Sequence, residues 1–405
     1  MLIGSILGLT IGFLLPTDSQ RIFNFFQWTE KLAIGIGRYT VIPVLVFSLT
    51  IAIYELRQND QFWRMVLKNS LLIIAVSFFV ISLGIMVTMI FTPDRIPIET
   101  AEQLESMRLN VEEDIIGIFP SNMFRVLAGS GTYLLPICAF AFFLGMGLSY
   151  DRNHSKPVIS LIDSLSRVFY HVASFFSEII GFILIALSAF WAVRYHSILQ
   201  TGVYKDLILM LGVFSIVLCF GILPLFMYFL KPKTNPWRVL YGSLGPAICA
   251  FFSGDINFTI PVIMRHSKEN FGVRRRSSAL SLSLFSIFCR CGSAMVAAAA
   301  FIVIIKSYSY IRIAPQAILS IGLYTLMISF LLASHPGDGA YIALAALCFH
   351  YGGGEYSAGY LILKPLAFYL VAIGTFIDVM INCFGSYVIA RTNGFTEEKN
   401  VVHFI

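Results

Sequence analysis

Long apolar runs separated by short polar clusters set the pattern of the chain. The runs 71–91, 169–193, 207–230 and 277–305 each supply the roughly 20 apolar residues that a bilayer-spanning helix needs. Taken in order, the pattern predicts helices near 2–15, 33–54, 68–92, 121–150, 169–195 and 205–230. The fourth is interrupted by "AGSGTYLLP", whose glycines and proline break a helix, so a segmented span is expected there. Beyond Lys233 the pattern changes. Residues 237–266 and 315–352 are apolar at both ends but break in the middle, at "FFSGDINFTIP" and "SHPGDGAY". Uninterrupted runs follow each of them, at 277–305 and about 360–390.

The positions of the basic residues fix the direction of each run, because loops rich in Lys and Arg stay in the cytoplasm. One set of loops carries Arg57, Arg64 and Lys68; Arg152, Lys156 and Arg167; Lys231, Lys233 and Arg238; Arg265, Lys268 and Arg274 to Arg276; and Arg391 and Lys399. The longest opposing loop, "TPDRIPIETAEQLESMRLNVEED", is acidic and is placed outside. Both termini are then cytoplasmic. The segment 237–266 has Arg238 and Arg265 at its two ends, so it enters and leaves on one side as a re-entrant hairpin, and 315–352 does the same from the other side. The expected fold class is an all-α polytopic membrane protein with eight transmembrane helices plus two opposed re-entrant hairpins arranged as inverted repeats.

Composition agrees. The 405 residues are 58% hydrophobic and 12% charged, against about 25% charged in soluble domains. The net charge of +6 is accounted for by the cytoplasmic loops, and nucleic acid is not an expected partner. Residues 1–15 lack the basic start and small-residue cleavage site of a secretory signal and read as a short first span. Seven cysteines scattered through apolar runs are no disulfide framework. No His/Glu metal pair, nucleophile elbow or phosphate loop is present, so an enzyme is not expected.

Broken elements at corresponding positions of two repeats mark solute and ion sites, because unwound backbone survives at membrane depth only where it is buried or lines a cavity. One further residue stands out. Arg290, in "SIFCRCGSAM", is the only charged residue between Ser277 and Ile305. An intramembrane charge costs about 2.5–3.5 kcal/mol on insertion scales and normally pairs near a functional cavity. Asp255, Asp338 and Asp378 are its candidate partners.

The chain resembles the dicarboxylate/amino acid:cation symporter family, which has the glutamate transporter fold. The resemblance is carried by "IFPSNMFRVLAGSGTYLLPICAFAFFLGMGLSY", "FTIPVIMRHSKENFGV", "HPGDGAYIAL" and "NCFGSYVIARTNG" in that order. It implies a homotrimer of elevator type in a bacterial inner membrane, in contact with lipid. Residues 1–66 and 121–200 would form a scaffold. Residues 67–120, which carry the third span and the outer acidic loop, would join 201–405 in a moving transport unit. The solute, a small organic acid or amino acid, would lie between the two tips with the seventh and eighth spans behind, and sodium or a proton would be the coupling ion, with no other cofactor.

The site positions depart from the family pattern. A serine-rich stretch is replaced by Asp255, Ile256 and Asn257 before Thr259 and Pro261. The family's Asn-Met-Asp-Gly-Thr is replaced by Cys289, Arg290, Cys291, Gly292 and Ser293. Its readers of the substrate amine and side chain fall on Val371 and Gly374, and its later cation ligands on Asp378 and Asn382, with their order exchanged. The substrate-binding set implied is Asp255, Asn257, Thr259, Arg290, Ser293, Pro336, Gly337, Asp338, Asp378 and Asn382, and the cation set is Cys289, Cys291, Asp378 and Asn382. Three roles are open to Arg290: a built-in cation held by Asp378 in place of sodium, a reader of substrate carboxylate, or a structural ion pair in an inactive homologue. Proton coupling, uncoupled exchange, and a channel-like or non-transporting protein are the corresponding alternatives in function. His335 is read as a tip histidine satisfied by backbone groups, with a proton-sensing group at the second gate as the alternative, Asp338 as a helix cap or ion ligand, and Arg38 and Lys364 as snorkelling to the interface. The Cys-Arg-Cys thiols lack the further ligands of a closed zinc site.

Overall fold

A computed structural model of the chain describes residues 1–14, 20–91, 93–97, 109–150, 152–230, 235–308, 314–351 and 358–397. Lys231, Lys233, Lys399 and most of the acidic loop lie outside the described residues. Sixteen α-helices and no strand occur among those described. They are α1 (Leu2–Leu14), α2 (Gln20–Arg38), α3 (Val41–Gln58), α4 (Phe62–Ile90), α5 (Val111–Ile118), α6 (Leu135–Tyr150), α7 (Arg152–Thr201), α8 (Lys205–Ile216) and α9 (Leu223–Leu230). After them come α10 (Pro236–Ser253), α11 (Ile256–Glu269), α12 (Arg275–Phe288), α13 (Cys291–Tyr308), α14 (Pro315–Leu331), α15 (Gly339–Tyr351) and α16 (Ala367–Thr392). Seven stretches among the described residues are long and apolar enough to cross a membrane.

Most expected breaks fall where the polar clusters stand. The fourth span is in pieces: a 3₁₀ turn at Met123–Ala128, an irregular stretch through Gly131, then α6, while the end of the expected outer acidic loop forms the short helix α5. The segment 237–266 is two helices, α10 and α11, joined at Gly254 and Asp255. Gly254 takes a left-handed conformation, φ +62°, and its amide closes on the Ala250 carbonyl at 2.8 Å, a glycine-terminated helix end. Asp255 then caps α11, its carboxylate accepting from the amides of Asn257 and Phe258 at 2.8 and 3.2 Å. The segment 315–352 likewise divides into α14 and α15 around His335 to Asp338.

Some boundaries differ from the expected ones. The helix expected at 169–195 begins at Arg152, because residues 152–168 are amphipathic and hydropathy alone misses a half-polar helix. Residues 20–32, charged and expected to be loop, are the first turns of α2 for the same reason.

Helices α1, α2, α3 and α6 pack around α7 or one another, whereas α4, α10, α12, α14 and α15 surround α13 and α16. Gly4, Gly8 and Gly12 give α1 a small-residue face, and a methyl added at any of them would collide with the α7 backbone at Gly181, Ile185 or Ala189. Such faces let apolar helices approach without a hydrophobic driving force between them. Helix α13 is buried continuously from Cys291 to Ile304 and α16 along most of its length, so their facing sides form the centre of the second group. The groups meet where α12 lies on α3 and where α11 lies on α2 and α7.

Candidate functional site

The helix expected over 277–305 breaks where Arg290 sits: α12 ends at Phe288 and α13 begins at Cys291. A helix start leaves backbone amides without partners and carries partial positive charge. Asp378, in the middle of α16, supplies what they need. Its carboxylate accepts from the Gly292 amide at 2.7 Å, from the Ser293 amide at 3.3 Å and from the Ser293 hydroxyl at 2.6 Å. The approach is close because neither helix has side-chain bulk there. A methyl on Gly292 would lie 2.7 Å from the Gly374 carbonyl oxygen, and one on Gly374 2.9 Å from Ser293 Cα.

Arg290 completes this cluster. Its Nε lies 3.3 Å from Asp378 Oδ2, and the two side chains are 1% and 0% exposed. That approach is an ion pair without an aligned hydrogen bond. Its Nη2 donates to the carbonyls of His335 and Pro336, both at 3.3 Å, so the guanidinium also satisfies the backbone of the second tip. Gly339 leaves room for it, since a methyl there would be 2.6 Å from Nη2. Of the three candidate partners, Asp378 is the one that pairs.

The two tips touch. The Ile256 amide donates to the Pro336 carbonyl at 3.3 Å, and a methyl on Gly337 would sit 3.8 Å from Asp255 Oδ2. Asn257 points elsewhere: its side-chain amide donates to the Gly131 and Thr132 carbonyls at 2.9 and 2.7 Å, holding the first tip to the broken fourth span. Thr259 is buried with its hydroxyl on the Ile256 carbonyl at 2.6 Å. Asn382, one turn along α16 from Asp378, donates to Ser286 Oγ at 2.7 Å, and its Oδ1 is buried without a donor. Cys289 and Cys291 are fully buried with their sulfurs 3.8 Å apart, and soft sulfur is a poor ligand for a hard cation. No cluster of three or more metal-ligating side chains occurs among the described residues. His335 meets Ser334 Oγ at 2.8 Å, which in turn donates to Asp114 at 2.7 Å. The Asp338 carboxylate makes no cap bond and has no hydrogen-bond partner among the described residues.

The expectation of interface snorkelling for Arg38 fails. Its guanidinium is ion-paired with Asp255, a carboxylate 1% exposed at the first tip. Both residues line a cavity of about 800 Å³ bounded by α2, α7, the two tips and the start of α16. Lys31, Arg194, Asp338 and Lys364 also line it. The sequence held the signal: "LAIGIGRYTVIP" carries a single charge among apolar residues, as the Arg290 segment does.

A nearly all-helical chain with these apolar spans is a multi-pass membrane protein. It belongs to the Sodium:dicarboxylate symporter family, whose profile matches residues 1–392, and so to a family of transporters and not of enzymes. It is 25% identical to a proton/sodium-glutamate symport protein of Bacillus subtilis over 239 residues, which cover 54% of each chain. Identity to the serine/threonine transporter SstT of Enterococcus faecalis is 23%, covering 70% of this chain and 65% of that one. A proton/sodium-glutamate symport protein of Geobacillus stearothermophilus is 21% identical, over 85% of this chain and 83% of its own.

Proposed function

We propose that this protein is a secondary carrier of symporter type that moves a small organic acid or amino acid by an elevator motion, with a sodium dependence altered by Arg290. The observation that carries the proposal is the buried pair of Arg290 and Asp378 in the break between α12 and α13. A buried carboxylate needs a counter-charge. Where a cation-coupled carrier takes that charge from solution, this chain supplies it covalently, and the acceptors of Asp378 are already occupied by Ser293, Gly292 and Arg290. Carboxylate reading by Arg290 fits less well, since the guanidinium is 1% exposed and two of its contacts are backbone carbonyls.

The grouping of helices supports the elevator reading. Residues 1–66 and 121–200 act as the fixed part, and 67–120 with 201–405 as the moving part, its α10–α11 and α14–α15 units being re-entrant from opposite faces. The protein works as a homotrimer in the inner membrane, with both termini in the cytoplasm, as the basic loops favour.

Uptake into proteoliposomes tests the reading. L-Aspartate, succinate and L-serine are offered with an inward gradient of sodium, of potassium, or of protons. Accumulation of at least one solute is expected, equal in sodium and potassium. Accumulation that depends on sodium makes the protein a conventional symporter and removes the role given to Arg290. Solute-independent unitary currents, or binding without flux, make it channel-like or a non-transporting homologue.

A further inference from the structure

Asp255 uses its two carboxylate oxygens differently. Oδ1 accepts from the Asn257 and Phe258 amides at 2.8 and 3.2 Å and so caps α11, whereas Oδ2 is taken by the Arg38 guanidinium. A methyl on Gly337 would lie 3.8 Å from that oxygen and 3.9 Å from Arg38 Nη2, so the pair sits beside the second tip. The carboxylate is 1% exposed, and Ser253, Gly254, Asp255, Gly337 and Val371 line the cavity of about 800 Å³. Because the cap rests on Oδ1, the partner of Oδ2 can change without undoing the start of α11.

The pair crosses a boundary. Arg38 ends α2 in the first group of helices, and Asp255 belongs to the second. The side-chain amide of Asn257 crosses at the same place to the Gly131 and Thr132 carbonyls, but those groups are neutral and water can replace each partner when they separate. A buried carboxylate is different, since losing the cation paired with it leaves an uncompensated charge. The guanidinium itself is held on one edge: its Nε is buried without an acceptor, so the pair lacks the two parallel bonds of a full fork. Resting on the carrier reading above, in which the second group moves past the first, we infer that the ammonium group of an amino acid takes the place of Arg38 on Asp255 Oδ2. The solute then lies on groups that travel together, and Arg38 stays with the fixed helices. Without a solute, the ion pair ties the two groups in the position observed. With one, the ammonium supplies the charge and the tie is released. An acid without an ammonium leaves Arg38 in place, so amino acids are carried in preference to it.

Titration calorimetry on the purified full chain tests this with two pairs of probes that differ only in the ammonium: L-aspartate against succinate, and L-serine against 3-hydroxypropanoate. Wild type is expected to bind an amino acid about tenfold or more tightly than its partner, the worth of one hydrogen bond to a charged group. Asp255→Asn is expected to abolish that preference while keeping the cap on α11, and an unchanged helical circular dichroism spectrum excludes misfolding. Arg38→Gln removes the competitor, so it is expected to tighten the amino acids by about tenfold and to leave the other two probes unchanged. Weaker binding of every probe in Arg38→Gln would make Arg38 a reader of carboxylate and overturn the inference. A preference that survives Asp255→Asn also overturns it, as does one abolished by Asp338→Asn instead, the other cavity carboxylate. In each of these cases the chain still binds a solute and the carrier reading stands. A wild type that binds none of the four overturns the inference as well, and the uptake experiment then decides the carrier reading on its own.

Discussion

Arg290 and Asp378 form a charged pair that cannot be half-removed. Taking away one member of a buried pair leaves an uncompensated charge, at a cost of about 3–5 kcal/mol. Arg290→Met is expected to lower the melting temperature in potassium, and Arg290→Met with Asp378→Asn to recover most of the loss. An equally destabilised double variant would mean that the guanidinium matters for the His335 and Pro336 carbonyls and not for the carboxylate. Asp255 does two things, and two substitutions separate them. Asn retains the cap on α11, because Asn and Asp cap about equally, whereas Ala loses it at about 0.5–2 kcal/mol. Melting curves of Asp255→Asn and Asp255→Ala are expected to differ by that amount.

The residues legible without a structure were those that break a local rule. Arg290 is a charge in an apolar run, and Asp378 is a carboxylate on an apolar helix. Arg38 breaks the same rule, but its position near a helix end allowed a bland explanation. Its partner Asp255 is 217 residues away, and no periodicity reports a pairing at that distance. Asn257 belongs to the substrate-binding set that the resemblance implies, yet its contacts with Gly131 and Thr132 follow from how the tip meets the broken fourth span. A broken helix exposes carbonyls that need donors, so a donor was predictable there and its identity was not.

At the scale of elements, polar interruptions in apolar runs located the breaks well. Gly254 and the loop from His335 to Asp338 fall where the glycines, prolines and acidic residues cluster. Helix starts with a polar face, at α2 and α7, do not show in the apolar pattern, because an amphipathic turn looks like a loop to a hydropathy sum. The contact of α1 with α7 gives a prediction at this scale. Gly8→Leu forces a side chain against the Ser188 and Ile185 positions and should cost about 1–3 kcal/mol as overpacking, read as a lower melting temperature. Gly35→Leu, on α2 where an added Cβ meets nothing within 4 Å, is the matched control and should change little. Equal effects would place the α1–α7 contact outside the stabilising core.

For the whole molecule, the charge distribution states a topology that labelling can read. A cysteine placed at Lys268, in the last turn of α11, should react with an impermeant maleimide only from the cytoplasmic side, and one at Glu113 on α5 only from outside. Labelling of both from one side would contradict the placement of the basic loops inside and the acidic segment outside. The family membership and the helical, multi-pass character are legible in the sequence because both rest on patterns spread over the whole chain. The cavity was not, since its lining comes from α2, α7, two tips and the start of α16.

The claim that organises these scales is that Arg290 occupies the place of a coupling cation. It is tested most directly by melting the wild type and Arg290→Met in sodium and in potassium at equal ionic strength. With the guanidinium present, the two salts should give the same melting temperature. With it removed, Asp378 is left to recruit a cation, and a ligand at 100 times its dissociation constant stabilises by about 2.7 kcal/mol, so sodium should raise the melting temperature of the variant above its value in potassium. A wild type already stabilised by sodium, or a variant indifferent to it, contradicts the account.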